Sequence, residues 1–273
     1  MATAIVLVLI VIGSVVFHIF SPWWWTPIAS NWVFMDSMIT LTFWITGAVY
    51  VAVILFIAYC LYKFHHVEGR VAEYEPENTR LEVWLTVITS VGVAALLIPG
   101  LVIWYQFVTV PDEATEVEVV AQQWYWSYRL PGEDGQLGLV DNRLITSDNP
   151  LGIDPTDPRG QDDVVIEAEE LHLPIGVPVK MLLRSIDVLH DYYVPEFRAK
   201  MDMVPGMITF FWFEPTRVGE YEVLCAELCG IGHSFMRGAV FIDSEEDYKL
   251  WLIEQTTFAE MSALNEVDLA NLD

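Results

Sequence analysis

Basic residues are scarce in this 273-residue chain: 13 Lys and Arg stand against 38 Asp and Glu, a formal net charge of −25. So acidic a chain repels nucleic acid, which excludes that class of partner, and it favours encounters with basic proteins, although acidity also serves solubility alone. Cysteine is scarce as well. Cys60 lies in an apolar run, and Cys225 and Cys229 stand together, which is too few for a disulfide framework. No internal repeat is present. The N-terminus lacks the basic stretch and the cleavage site of a secretory leader, so residues 2–20 read as a retained span.

Charge itself is missing from three runs, 2–20, 38–62 and 83–110, each near the ~20 apolar residues a bilayer span requires. Pro99-Gly100 predicts a bend or break in the third. Trp23, Trp24, Trp25 and Trp32, between the first two spans, predict an interfacial aromatic belt. Lys63, Arg70 and Arg80 place loop 63–82 inside, because the N-terminus and loop 21–37 carry no basic residue. Everything after about residue 111 is then outside. That part holds 32 of the 38 acidic residues. His65 and His66 fall at the inner face as snorkelling or solvated side chains, and His18 and His172 suggest no role.

The acidic region reads as strands at 116–121, 164–168, 177–184, 207–213 and 220–224, separated by Gly, Pro and Asp turns, which predicts a β-sandwich. Residues 131–163 read as a long loop and 245–254 as a short helix, with an acidic tail behind it. The expected division is an extra span and outer loop (1–37), a transmembrane hairpin (38–110), the sandwich (111–245), and a helix and tail (246–273).

Twelve residues, Cys225-Ala-Glu-Leu-Cys-Gly-Ile-Gly-His-Ser-Phe-Met236, offer two thiols, an imidazole and a thioether, and His190 stands 35 residues upstream at the expected end of a strand. Soft sulfur donors with imidazole select copper. A second thiolate permits two coppers bridged by Cys225 and Cys229, each with one histidine (His190, His233) and one weak ligand (Met236, or the carbonyl of Glu227). The alternatives are a Cys225–Cys229 disulfide, a zinc site of Cys225, Cys229, His190 and His233, and Met236 as plain core. A disulfide leaves both histidines unused and zinc leaves the thioether unused, so the whole set favours copper.

These residues, with His190-x-x-x-Val-Pro, resemble the CuA motif of cytochrome c oxidase subunit II. Gln123-Trp-Tyr-Trp-Ser-Tyr128 is similar to that family's aromatic segment, and the resemblance spans roughly 35–256. It implies an α-helical transmembrane anchor of three spans followed by an all-β cupredoxin-like sandwich. It also implies an electron-receiving subunit of a heme–copper terminal oxidase: cytochrome c as donor, a binuclear copper A centre here, heme only in the catalytic subunit I that reduces oxygen, and a bacterial inner membrane with the copper domain on the periplasmic side. By the same resemblance Cys225, Cys229, His190, His233, Met236 and the Glu227 carbonyl hold the coppers, and the Glu227 side chain helps hold magnesium at the junction with subunit I. Trp124 is the electron-receiving tryptophan, Asp187 helps dock cytochrome c, and Glu82 marks the mouth of a proton pathway. Trp124 as core, Asp187 as a turn carboxylate and Glu82 as an interfacial acid are the plainer readings.

Departures from the family pattern are the extra span 2–20, Asp191 where a small or uncharged residue is expected, and the long loop 147–163. That loop's five aspartates suggest either a solvated acidic loop or a hard-cation site such as calcium. A CuA subunit of a nitric oxide reductase is the nearest rival function, and a membrane-tethered copper chaperone or sensor is the rival of another class.

Overall fold

The computed structural model describes residues 1–21, 26–71, 74, 76–167 and 170–270. Three long helices come first: α1 (Ala2–Phe20), α2 (Val33–Lys63) and α3 (Thr79–Val108). All three are long and apolar enough to cross a membrane. At 1.5 Å per residue α3 is about 45 Å long, more than the ~30 Å hydrocarbon core. Asn78 caps α3 through its side chain on Leu81 N–H (3.1 Å), and the helix runs unbroken through Pro99 and Gly100. The expected break is absent: a span closes every other backbone hydrogen bond internally, so loss of one N–H does not end it.

Ten strands follow among the described residues: β1 (Thr115–Gln122), β2 (Tyr125–Leu130), β3 (Val164–Ile166), β4 (Glu170–Pro174), β5 (Val179–Ser185), β6 (His190–Val194), β7 (Ala199–Met203), β8 (Thr209–Phe213), β9 (Gly219–Cys225) and β10 (Arg237–Asp243). They form two five-stranded sheets, β3-β2-β1-β5-β8 and β4-β10-β9-β6-β7. The expected class, an α-helical three-span anchor followed by an all-β cupredoxin-like sandwich, is the one observed. Aromatic rings fill the space between the sheets. Tyr192 of β6 meets Trp126 of β2 at 5.1 Å, and Phe197 stacks on Phe213 of β8 at 4.5 Å.

Alternation along β1 suggests one wet face, yet Glu118 is buried. The 131–163 segment is the reason. It folds over that face and, with Phe258, encloses Val120, Leu151, Ile153 and Val165. Glu118 is paired with Arg129 (2.8 Å) and Arg184 (2.9 Å), and Arg129 also reaches Asp163 (2.6 Å). Buried charges persist only when paired and hydrogen-bonded in this way. The aspartates of this segment are therefore not simply solvated: Asp163 is fully buried and Asp157 nearly so, the latter gripping Arg159 and Leu139 N–H. Among the described residues, none of them joins a cluster able to hold a cation. Helix α4 (Glu245–Ile253) is the expected short helix, but the expected tail winds into α5 (Phe258–Ala270).

Residues 26–33 cluster with the sandwich. Ala29 N–H donates to Glu196 O, Thr216 N–H to Ala29 O, and Asn31 exchanges bonds with Glu214. Trp32 is 3% exposed, wedged against Phe107 and Trp212 (5.2 and 4.9 Å), with its indole N–H on the Trp212 carbonyl. It belongs to the base of the sandwich and not to a membrane belt, since its ring finds aromatic partners and its N–H finds an acceptor there. Trp23, Trp24 and Trp25 lie outside the described residues. Trp32→Ala is expected to destabilise the sandwich by about 3–5 kcal/mol, read as an earlier thermal unfolding transition of the purified protein.

Candidate metal centre

Strand pairing builds the site. In the β6–β9 pair Tyr192 stands opposite Cys225, so His190, the first residue of β6, falls beside the last residue of β9. His190 thus opens a strand and does not end one, as expected from the sequence: the preceding residues 186–189 are a turn, and the ladder starts at the ligand. β9 continues antiparallel into β10, and Cys225 N–H donates to Met236 O at 3.2 Å where the 226–236 loop leaves the ladder. Six of the residues singled out from the sequence, His190, Cys225, Glu227, Cys229, His233 and Met236, are gathered at one end of one sheet.

The distances are those of a ligand set. Cys225 Sγ lies 3.7 Å from Cys229 Sγ, 3.9 Å from His190 Nδ1 and 3.2 Å from Glu227 O. Cys229 Sγ lies 3.6 Å from His233 Nδ1 and 3.9 Å from Met236 Sδ. The sulfurs are too far apart for a disulfide, whose bond is about 2.05 Å, and both cysteines are free. His190, Cys225 and Cys229 place ligand atoms within 4.8 Å of one another. Both sulfurs are buried, as are His190 and Met236, while His233 is half-exposed.

Electrostatics favour a cation here. Burial opposes ionisation of Cys225, but hydrogen bonds from His190 and the backbone outweigh it and bring the thiol down to about 6. Burial and the neighbouring Cys225 push Cys229 up to about 12. Two thiolates this close cannot both ionise without positive charge between them, which bridging metal supplies. The donors total two sulfurs, two Nδ1 atoms, a thioether and a carbonyl. A tetrahedral zinc would leave two of them unused, whereas two coppers sharing both sulfurs use all six.

Asp187 has a role that sequence reasoning missed. Its carboxylate accepts from His190 Nε2 (2.9 Å), Gln123 N–H (2.6 Å) and Val188 N–H (2.6 Å). Burial works against its charge, but those bonds hold it below the usual carboxylate range. The contact fixes the His190 tautomer so that Nδ1 is free to ligate. The signal was present in the three-residue spacing Asp187–His190, but only the turn at 186–189 shows that the two meet. Asp187→Asn is expected to weaken copper retention by roughly 10–100-fold, measured by competition with a chelator.

Asp191, the unexpected acid, is 1% exposed. Burial, then a hydrogen bond shared with Asp202, raises its carboxyl to about 7, and Lys200 Nζ stands 3.9 Å away.

Trp124 lies half-buried on the ligand loop. Its indole N–H donates to Cys229 O (3.2 Å), and Gln123 Nε2 reaches the same oxygen (2.7 Å). Gly232 makes that contact possible, because a Cβ there would fall 2.3 Å from the Trp124 ring. Around the buried donors Leu228, Ile231 and Phe235 are 75%, 92% and 81% exposed, an apolar rim that periodicity did not reveal because the loop has none. Trp126, next but one to Trp124, is buried edge-on to His190 at 6.4 Å. Glu82 is exposed in the first turn of α3.

A family model described as cytochrome c oxidase subunit II, periplasmic domain, matches residues 115–243. The alternative cytochrome c oxidase subunit 2 of Bradyrhizobium diazoefficiens is 64% identical over 267 residues, which is 98% of this chain and 96% of that protein. The chain belongs to the cytochrome c oxidase subunit II family. The cytochrome c oxidase subunit 2 of Cereibacter sphaeroides is 28% identical over 83% of this chain and 77% of its own length. The crystal structure of the periplasmic domain of subunit II of cytochrome oxidase from Bradyrhizobium japonicum covers 53% of this chain and 94% of that one, at 26% identity and a TM-score of 0.39. Membership in a subunit II family makes the chain part of an oxidase complex, and the family's copper fits the donors present. With its three apolar helices and periplasmic-domain match, the chain is a membrane-anchored member of the family.

Proposed function

We propose that this chain is the electron-receiving subunit of a heme–copper terminal oxidase in a bacterial inner membrane, taking electrons from cytochrome c on the periplasmic side and passing them to subunit I, where heme resides and oxygen is reduced. The observation that carries this reading is the junction of Trp124 with the ligand loop: one indole hydrogen-bonded to the carbonyl of Cys229, directly beside the buried sulfurs. When bound, a copper pair here supplies a one-electron relay whose bond lengths change little between redox states.

The chain's own residues do the rest. Cys225, Cys229, His190 and His233 would hold the copper pair, with Met236 and the Glu227 carbonyl as its weaker donors. Asp187 orients His190, and the two sulfurs and Met236 are buried away from solvent. The half-buried Trp124, with Leu228, Ile231 and Phe235 around the loop, offers an apolar contact for the donor. The acidic surface, Asp187 included, steers a basic donor towards it. The Glu227 carboxylate contributes to a magnesium site completed by oxygen ligands from subunit I. Glu82, exposed at the start of the last span, receives protons bound for subunit I.

Stopped-flow mixing of the purified complex with reduced cytochrome c tests the reading. Copper reduction is expected to precede heme reduction and to slow steeply as salt rises from low ionic strength. Heme reduction that precedes copper reduction, or a rate indifferent to salt, would contradict it. Consumption of oxygen and not nitric oxide is the expected terminal reaction.

A further inference from the structure

Trp126 is fully buried, and its ring meets two others across the sandwich, His190 at 6.4 Å and Tyr192 at 5.1 Å, each in an edge-to-face arrangement. Aromatic pairs are favourable at these separations. Register explains how the indole reaches so far. Within its own sheet Trp126 stands opposite Ala121 of β1, and Ala121 stands beside Ser185 of β5. Paired residues share a face of a sheet, so the row that holds Trp126 otherwise carries small side chains and leaves room for a wide ring. The Ser185 hydroxyl donates to the Val188 carbonyl, inside the turn that carries Asp187.

His190 is therefore held from several sides. Asp187 accepts from its Nε2 at 2.9 Å, the buried Met203 stands opposite it in the β6–β7 ladder, and Trp126 packs on it from the other sheet. Among the described residues the indole N–H finds no acceptor. An unpaired buried donor costs about 1–3 kcal/mol, and a phenylalanine would avoid that cost. A phenylalanine is too narrow, however, to touch His190 and Tyr192 together. Tyr192 stands opposite Cys225 of β9, so the indole backs both donors of the Cys225–His190 half of the site.

We infer that Trp126 is a positioning residue of the copper centre: it fixes the plane of the His190 ring, keeps the Cys225–His190 half dry, and so holds the reduction potential up. The inference rests on the copper pair proposed above. Two bridging thiolates neutralise a reduced copper pair and leave an oxidised pair with one net positive charge. A dry wall disfavours the charged state and thereby favours acceptance of the electron. Water admitted beside His190 would favour the oxidised state and lower the potential.

Redox titration and magnetic resonance of the purified complex test it. Trp126→Phe is expected to keep both coppers and to reduce the equilibrium constant for electron acceptance about threefold. It is also expected to change the His190 nitrogen coupling seen by electron–nuclear double resonance. Trp126→Ala is expected to reduce that constant about tenfold, which is about 59 mV for one electron. Should the alanine variant fail to fold, the phenylalanine variant still decides. Phe213→Leu serves as the comparison, because Phe213 pairs with Val179 at the end of β5 remote from Ser185 and stacks on Phe197. It is expected to lower the thermal transition and to leave the potential and the nitrogen coupling unchanged. Trp126 variants with the wild-type potential and coupling, or an equal shift in Phe213→Leu, would overturn this inference alone. A wild-type chain without a copper pair would overturn the reading beneath it as well.

Discussion

Cys229→Ser is expected to abolish the copper pair outright. The expected protein assembles and folds, because the sandwich core of Trp126, Tyr192 and Phe211 does not depend on this side chain. It retains at most one copper, shows no purple colour, and oxidises cytochrome c at background rates. Cys229 is the sulfur that meets His233 and Met236, so losing it detaches half of the donor set in one step. The loss should exceed the ~10–100-fold typical when only an outer partner of a metal ligand is removed. Absorption, metal analysis and turnover on one preparation decide it. An unchanged visible spectrum would mean that the two sulfurs do not bridge a common pair of metals.

The second large effect comes from a glycine that holds no metal. Gly232→Ala puts a methyl group 2.3 Å from the Trp124 ring, and backbone on both sides of residue 232 is tied to the ligand loop, with Phe235 N–H on Gly232 O at 2.9 Å. The indole must move out and the Trp124–Cys229 hydrogen bond must break. Copper stays, since none of its ligands is touched. A displacement of the order of 1 Å at a reacting partner costs about 100-fold in rate, and that is the expected fall in electron uptake from cytochrome c, with the copper spectrum intact. Trp124→Ala should match it. If Gly232→Ala retains full uptake, Trp124 is not on the route.

What could be read in advance depended on how local its physics was. The spans showed themselves because a bilayer excludes charge over a continuous run of sequence. The ligands showed themselves because soft donors are rare and four of them fall within twelve residues. Trp32 was misread because its neighbours in sequence are a membrane loop, while its neighbours in space, Phe107 and Trp212, are 75 and 180 positions away. Glu118 and Asp163 looked like solvated acids, since nothing local announces that 131–163 will fold over their side of the sheet with Arg129 beneath. Half of the strands went unseen for a related reason. β6 buries Asp191 and β7 is only five residues long, so neither shows the clean alternation of a strand with one wet face. The contact between Asp187 and His190 needed the shape of the 186–189 turn before its meaning was visible.

The central claim is that six donors from this chain hold two bridged coppers that share one electron. Electron paramagnetic resonance of the purified, oxidised protein, with copper and zinc counted on the same sample, tests it most directly. Two coppers per chain and a seven-line hyperfine pattern are the predicted result. A four-line spectrum from a single copper, or a colourless protein with one bound zinc, would contradict it.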